Sequence, residues 1–400
     1  MDETRFIVAG SFIDGSGAEV RRNVFLAVKN GMITAMGSAS DLRCLDRALI
    51  DDFSHCTVVP PLIDCSVSLS RSPSVDMRMR VFCEESGVEQ KAALFGRHVR
   101  YCHAHGVLGV GDSGDLTGLM AQYQPEMAPG SILAIRTSGR LCRSKQDFAA
   151  GTPPGGDFLK IGYSDDIETE KAPLPRLSHE DLRCILLRHR GGKKIVVANG
   201  RQAVAEALAA GCDAIEQGYF MGEDNLRRMA TENVLWIPSV LRAKNALDSS
   251  GSGGDVCCRF SQRYVAPGKP VPGAEIYWKK MLAGQLAQLR LAKALGVKTA
   301  VGTGAGSTGI LHGEAVVEEM KLFVKAGYSL EETIRCATKH GARFFGFETL
   351  GALAVGRHAT FLITRGTPHQ LPRKLSYLEG IYIDGAPSGA YRKNPVKALS

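Results

Sequence analysis

Ser66, Ser68 and Lys160 are residues whose types can do chemistry together, because a serine hydroxyl beside a lysine amine can act as nucleophile and base. That reaction also needs oxyanion donors, and a hydroxyl near a lysine is common. The plainer reading, preferred here, is a set of polar residues filling a cavity. His103-Ala104-His105 has the spacing of a metal-binding histidine pair. It closes a helical pattern from Glu89 to His105, however, where residues two apart do not share a face. Histidines there are expected to complement the negative end of the helix dipole. The cysteines number 11, with no CxxC pair, and most sit in apolar runs. They read as buried free thiols in a reducing compartment, with Cys257-Cys258, beside a Gly/Ser stretch, as the exposed pair.

The frame that must position these groups is large. The chain has 400 residues, 44% apolar and 22% charged. This composition excludes wholesale disorder, collagen and a disulfide-dense mini-fold, and the length suits a large barrel plus a smaller domain. No run approaches the roughly 18 uninterrupted apolar residues of a membrane span. The acidic start, Met1-Asp2-Glu3, is unlike a signal peptide, so the expected location is cytoplasmic. The net charge of +8 is scattered, with only small clusters such as Lys193-Lys194. A nucleic-acid binder gathers its basic residues into a patch, so no nucleic-acid or membrane partner is expected.

Residues 1–57 read as short strands and turns, with Lys29-Asn30-Gly31 as a hairpin signal between two apolar runs. From Val58 the rhythm becomes strand, helix, strand. Eight apolar runs read as strands: Val58–Ile63, Leu108–Gly111, Ile132–Thr137, Phe158–Gly162, Lys194–Ala198, Asp213–Glu216, Val234–Ser239 and Lys298–Gly302. Between them lie a helix capped by Ser178 with Leu182, Ile185 and Leu186 as its apolar stripe, a helix over Ala203–Ala210, and a capping box at Ser329-Leu330-Glu331-Glu332. Eight βα units over residues 58–350 predict an α/β fold, a (β/α)₈ TIM-like barrel, which typically takes about 250 residues. The irregular stretches are 138–156 and 245–273, the latter expected as a surface loop. Strands return at Ala359–Thr364 and Gly380–Gly385, so residues 1–57 and 351–400 are expected to build one composite β-sandwich domain beside the barrel.

Active sites of such barrels sit at the C-terminal strand ends. There the sequence places Asp64 to Ser68, Asp112-Ser113, Ser138, Lys160, Val197-Ala198-Asn199, Gln217, Ser239 and Gly304. The motifs around them, in order, resemble those of the metal-dependent amidohydrolase superfamily, nearest its imidazolonepropionase-like and Xaa-Pro-dipeptidase-like branch. Phe12-Ile13-Asp14-Gly15-Ser16-Gly17 is like "liDGtG", and Pro60 to Leu69 is like "PGLIDxHxHL". Gly106 to Asp112 is like "GvTtvrD", and Asp157-Phe158-Leu159-Lys160-Ile161 is like the strand bearing the family's metal-bridging lysine. Val197-Ala198-Asn199-Gly200 is like "HANG" without its histidine, Ala209 to Gly218 is like "aGvdsIEHG", and Gly302 to Gly306 is like "GTDAG". The tail from Leu350 to Thr360 is like "lGrIapGkxAD". The resemblance spans nearly the whole chain.

That resemblance implies a barrel with a composite β-sandwich, and one or two divalent metals, zinc or another, that activate water against an amide or related bond. It also implies the ligand slots: two histidines after strand one, a carboxylated lysine, single histidines after strands five and six, and an aspartate base after strand eight. This chain departs at nearly all of them, placing Ser66 and Ser68, then Val197 (or Asn199 with a shift of two), then Gln217, then Gly304 in those slots. Only Lys160 remains. Hydroxyls and an amide are poor zinc ligands, and without metal a water keeps a pKa near 15.7 instead of about 7. No metal or other cofactor is therefore expected, and no catalytic residue is assigned beyond the candidate Lys160. The expectation is a pseudoenzyme that binds a small molecule or partner through a pocket lined by Ser66, Ser68, Lys160, Val197, Asn199, Gln217, Gly304 and His312, polar and cationic enough for an anionic ligand. Two alternatives stand beside it. One is a hydrolase of carbon–nitrogen bonds, in non-peptides or dipeptides, with an altered or metal-independent mechanism. The other is a subunit of a homo- or hetero-oligomer with an active paralogue. His312 can equally cap a helix start, and Asp112 is expected to be structural, paired with a Lys or Arg.

Overall fold

The structure is a computed structural model. It describes residues 4–42, 49–114, 133–139, 141–144, 147, 156–164, 177–189, 191–250 and 273–391. Cys44, Cys257, Cys258, much of 138–156 and residues 251–272 lie outside them.

The chain opens with β1 (Arg5–Phe12), β2 (Arg21–Lys29), β3 (Met32–Ser38) and β4 (Ile50–Val59). Asn30 and Gly31 both have positive φ, 52° and 77°. A two-residue hairpin that matches strand twist demands this, and only glycine and a few short polar residues tolerate it. The middle of the chain supplies β5 (Leu62–Val67), β6 (Val107–Asp112), β7 (Ala134–Thr137), β8 (Leu159–Gly162), β9 (Lys194–Ala198), β10 (Ala214–Gln217) and β11 (Leu235–Ile237). The end supplies β12 (Phe361–Arg365), β13 (Leu378–Ile383) and β14 (Ala386–Pro387).

The first four strands and the last three form one seven-stranded sheet in the order β14-β13-β12-β4-β1-β2-β3. The two chain ends meet where β12 pairs antiparallel with β4, Leu362 opposite Val59. Thr57 Oγ1 donates to the Gly366 carbonyl at 2.8 Å across that seam. Ile7, Phe12, Leu26, Phe361 and Ile363 bury one face in a core of their own.

The middle strands are parallel and form a four-stranded sheet, β11-β10-β9-β8, and a three-stranded one, β5-β6-β7. β5, β6, β8, β10 and β11 are buried at every residue. That is the signature of parallel strands covered on both faces, and it explains why they read as unbroken apolar runs. Six of the expected strands appear within a residue or two of their expected bounds; the first, expected at Val58–Ile63, lies instead at Leu62–Val67, and Val58 and Val59 end β4 of the seven-stranded sheet. The eighth, Lys298–Gly302, does not form a continuous strand. It touches its neighbours through isolated bridges, Trp236 to Thr299 and Val67 to Ala305. The N–H of Ala300 donates to Trp236 O and that of Cys65 to Val301 O, both at 2.9 Å. Gly304 and Gly306 have φ of 72° and 92°, outside the extended region, so a regular ladder cannot continue through them.

Ser178 caps the helix His179–Arg188, accepting from the Asp181 N–H at 3.1 Å. Leu182 and Leu186 are buried under it, while Ile185 is only half-buried. The Ser329–Glu332 capping box opens Leu330–Ala337 as expected, and the helix expected at Ala203–Ala210 spans Arg201–Ala209. A correction falls at the start of the 245–273 stretch, which continues a helix, Val240–Ser250, rather than a loop. Its first two N–H groups are held by the carboxylate of distant Glu319, a partner that local sequence does not reveal. Cys56, Cys65, Cys102, Cys142, Cys212 and Cys336 are buried free thiols, as expected, while Cys83 and Cys184 are partly exposed.

Candidate functional site

Lys160 sits on β8 among Leu159 and Ile161, and its side chain is 4% exposed. Its Nζ lies 2.6 Å from Glu216 Oε2, 2.6 Å from Ser113 Oγ and 3.4 Å from Ser66 Oγ. Ser66 in turn donates to Glu216 Oε1 at 2.8 Å. These three contacts match the three donors of an ammonium, and the four residues come from the ends of β5, β6, β8 and β10. The result is a closed, charge-balanced network buried between the parallel strands.

Glu216 is the residue that sequence reading missed. It stands in the Ala209–Gly218 motif, one residue before Gln217, the position that the family motif marks. A signal existed. Lys160 and Glu216 each interrupt a short apolar strand, and charged side chains are almost never fully buried unless paired. Two opposite charges in two buried parallel strands are obliged to find each other.

A cavity of about 130 Å³ opens above this network. Of the expected lining residues, Ser66, Ser68, Lys160, Val197, Gln217 and Gly304 reach it. Two do not. Asn199 is tied up behind Gln217, donating from Nδ2 to Gln217 Oε1 at 2.6 Å and accepting at Oδ1 from the Tyr219 N–H at 3.0 Å. His312 lies beneath the Ser68 loop, with Nε2 3.0 Å from the Ser68 carbonyl and its ring stacked on His98 at 3.8 Å. Burial holds His312 well below the usual histidine range and His98 at about 4, so both rings stay neutral.

Unexpected cations complete the lining: Arg71, Arg143 and Arg242. Gly304 explains one of them. Its φ of 72° suits glycine, and a Cβ placed there would lie 3.5 Å from Arg242 Cδ. The stem of Arg242 thus lies against the face of Gly304 that carries no side chain. Gly162 does the same for Arg143, whose Cγ would lie 3.2 Å from a Cβ at position 162.

The neighbouring acids serve the fold. Asp64 accepts from the Thr303 hydroxyl at 2.5 Å and from the Thr303 and Ser66 N–H groups at 2.9 and 3.2 Å. Burial raises its pKa to about 7. Asp112 is structural, held mainly by hydrogen bonds, with Lys160 attracting it by charge. It accepts from the N–H groups of Leu69 and Gly114 and from Thr137 Oγ1, at 2.8, 2.9 and 3.0 Å. His105 is corrected as well. It is buried against the Tyr101 carbonyl, and desolvation lowers its pKa, so it is a neutral ring rather than a cation on the helix dipole. His103 bonds Ser388 from the chain's end.

As a metal site the donor set does not fit. Among the described residues no three His, Cys, Asp or Glu side chains converge as a metal-binding group. The one carboxylate lining the cavity among the described residues, Glu216, is engaged by an ammonium and a hydroxyl, and an ammonium has no lone pair to offer an ion.

A sequence profile of the amidohydrolase family matches residues 168–392. No curated protein matches the sequence. Among solved structures, a Xaa-Pro dipeptidase with methionine bound in its active site superposes with a TM-score of 0.76 at 20% identity, covering 96% of this chain and 99% of that one. The Aspergillus niger ochratoxinase gives 0.75 at 17%, covering 97% and 96%. A prolidase complexed with N-methylphosphonate-L-proline gives 0.73 at 17%, covering 96% and 99%.

Proposed function

This chain belongs to the amidohydrolase family, and from that premise we propose that it is a pseudoenzyme, an amidohydrolase scaffold whose former metal centre now serves as a small-molecule pocket. The observation that carries the reading is the Lys160–Glu216–Ser66–Ser113 network. In the family pattern the lysine bridges metals as a carbamate; here its three donors are consumed within the protein, and a carbamate would place a negative charge against Glu216. The positions around it offer hydroxyls, an amide, a valine and a glycine, none of which holds zinc well. We read residues 58–350 as a (β/α)₈ barrel and residues 1–57 with 351–400 as a composite β-sandwich. The bridges at Trp236–Thr299 and Val67–Ala305, and the sheet shared by both chain ends, support this.

Elemental analysis of the purified protein tests the proposal. Substoichiometric zinc, with no turnover on a panel of amides and dipeptides, is expected; one zinc per chain retained through gel filtration overturns it. Gly304→Asp should restore neither metal nor activity. The new carboxylate would stand at a positive φ against Arg242, with no histidine partners.

A second reading rests on one contact, Ser113 Oγ at 2.6 Å from Lys160 Nζ. It is a carbon–nitrogen hydrolase that uses a serine and a lysine without metal, the structural neighbours being hydrolases by name. Glu216 counts against it, because a lysine paired with a carboxylate is a poor base. Turnover abolished by Lys160→Ala would establish it. Service as a subunit beside an active paralogue would show as co-purification with a homologue carrying a full ligand set.

A further inference from the structure

We infer that the helix Met77–Glu85 is a self-association surface, on which a second copy of this chain packs its own Met77–Glu85 antiparallel across a two-fold axis. The helix is built inside out. A surface helix buries its apolar stripe and turns its polar residues to water. Here the buried side chain is Arg80, whose Nη1 donates to Thr308 Oγ1 at 2.8 Å, and Cys83, one turn on, is half-buried. The apolar residues face outward instead. Among the described residues eleven large apolar side chains are exposed, and five of them, Met77, Met79, Val81, Phe82 and Val88, fall between positions 77 and 88. Met77 and Phe82 are 62% and 63% exposed. Scattered singly, such residues need no explanation; gathered together they mark an interaction site.

The charges among them choose the occupant. With 3.6 residues per turn, Met77, Arg78, Val81, Phe82 and Glu85 share one side of the helix, all of them exposed, opposite Arg80 and Cys83. Val81 and Phe82 stand midway between Arg78 and Glu85. When two such helices lie antiparallel about an axis between Val81 and Phe82, each Arg78 faces the partner's Glu85 and each Val81 faces the partner's Phe82. An isologous contact requires just this, a patch that is its own complement. Glu84 is held by Arg71 of its own chain at 3.7 Å, so Glu85 is the acid that reaches across.

A membrane fits this face less well. A helix lying on lipid carries lysine and arginine along its polar side, whereas here one arginine is balanced by one glutamate. None of the five face residues lines the cavity, so the surface is separate from the pocket. Nine residues make a helix of about 13 Å. The contact is therefore at the small end of interface sizes, and the dimer is weak and concentration-dependent.

Sedimentation velocity on the full chain, over a hundredfold range of concentration, tests the assignment. The unaltered chain is expected to pass from monomer to dimer. Arg78→Glu and Glu85→Arg should each raise the Kd tenfold or more, because each sets like charges face to face at both ends of the contact. The double variant should regain the dimer, and so should an equimolar mixture of the two single variants, since both bring opposite charges together again. Phe82→Ser should weaken association with unchanged circular dichroism, while Leu187→Ser, at an equally exposed apolar position elsewhere, should not. A chain that stays monomeric throughout, or a dimer that Phe82→Ser and both charge reversals leave intact, overturns the inference. Dimerisation lost in the single variants without recovery in the double variant or the mixture overturns it too, by excluding two-fold pairing. Flotation of a monomeric chain with phosphatidylserine vesicles, abolished by Phe82→Ser, would give the face to a membrane and overturn the choice of a second copy.

Discussion

Lys160 and Glu216 cost free energy to bury, and their attraction repays it only while both are present. Removing one leaves an uncompensated charge. Glu216→Gln is therefore expected to lower stability by roughly 3–5 kcal/mol, read as a shifted urea midpoint. Lys160→Met with Glu216→Leu should recover most of that loss, since the pair is exchanged for packed apolar groups. Histidine 98 makes a second test. Burial depresses its pKa from 6.5 to about 4, so between those values the unfolded chain binds the proton and the folded chain does not. Stability should fall as pH drops through that window, by at most about 1.4 kcal/mol per pH unit for one such group. His98→Leu should flatten the slope while losing the bond to the Leu69 carbonyl. The positions of Ser66, Ser68, Lys160, Gln217 and Gly304 were legible because motif spacing fixes strand ends. Asn199 and His312 were not, because adjacent residues at a strand end diverge, and hydrogen bonds to Gln217 and the Ser68 carbonyl decide which of them turns away.

Elements with local signals came out as the sequence implied: the Asn30-Gly31 hairpin, the Ser178 cap and the Ser329 box are each written within a few residues. Val240–Ser250 was invisible because its N-terminal acceptor is supplied from another helix. Glu319 Oε1 and Oε2 accept from the N–H groups of Val240 and Leu241 at 2.8 and 2.6 Å. Burial raises the Glu319 pKa from 4.5 to about 8. Between these values the folded chain binds the proton and the unfolded chain has lost it, so this group's contribution to stability declines as pH rises from 4.5 to 8. Glu319→Gln removes the titration. Thermal unfolding of the variant should show a flatter pH dependence over that range, with a loss of about 1 kcal/mol at pH 5 from weaker capping. An unchanged slope would mean that Glu319 does not titrate there.

At the scale of the whole molecule, the parallel core was readable from its rhythm of apolar runs. The partial pairing of the eighth segment was not, because nothing in its apolar run distinguishes an isolated bridge at Thr299 from a full ladder. The seam between β4 and β12 joins the chain's two ends, and it leaves β4 unpaired on one side if the last strands are removed. A chain stopped after Leu350 is expected to expose that edge and the apolar face beneath it. Increased dye binding and aggregation during gel filtration would report this; a monodisperse truncated chain would argue that β1–β4 hold together without β12–β14. Asp64 bears on the same question of self-sufficiency. One side chain staples β5 to Thr303 across the gap where regular pairing lapses, and it does so without borrowing anything from solution. A join made by the chain's own carboxylate and hydroxyl needs no ion in the neighbouring space to hold it.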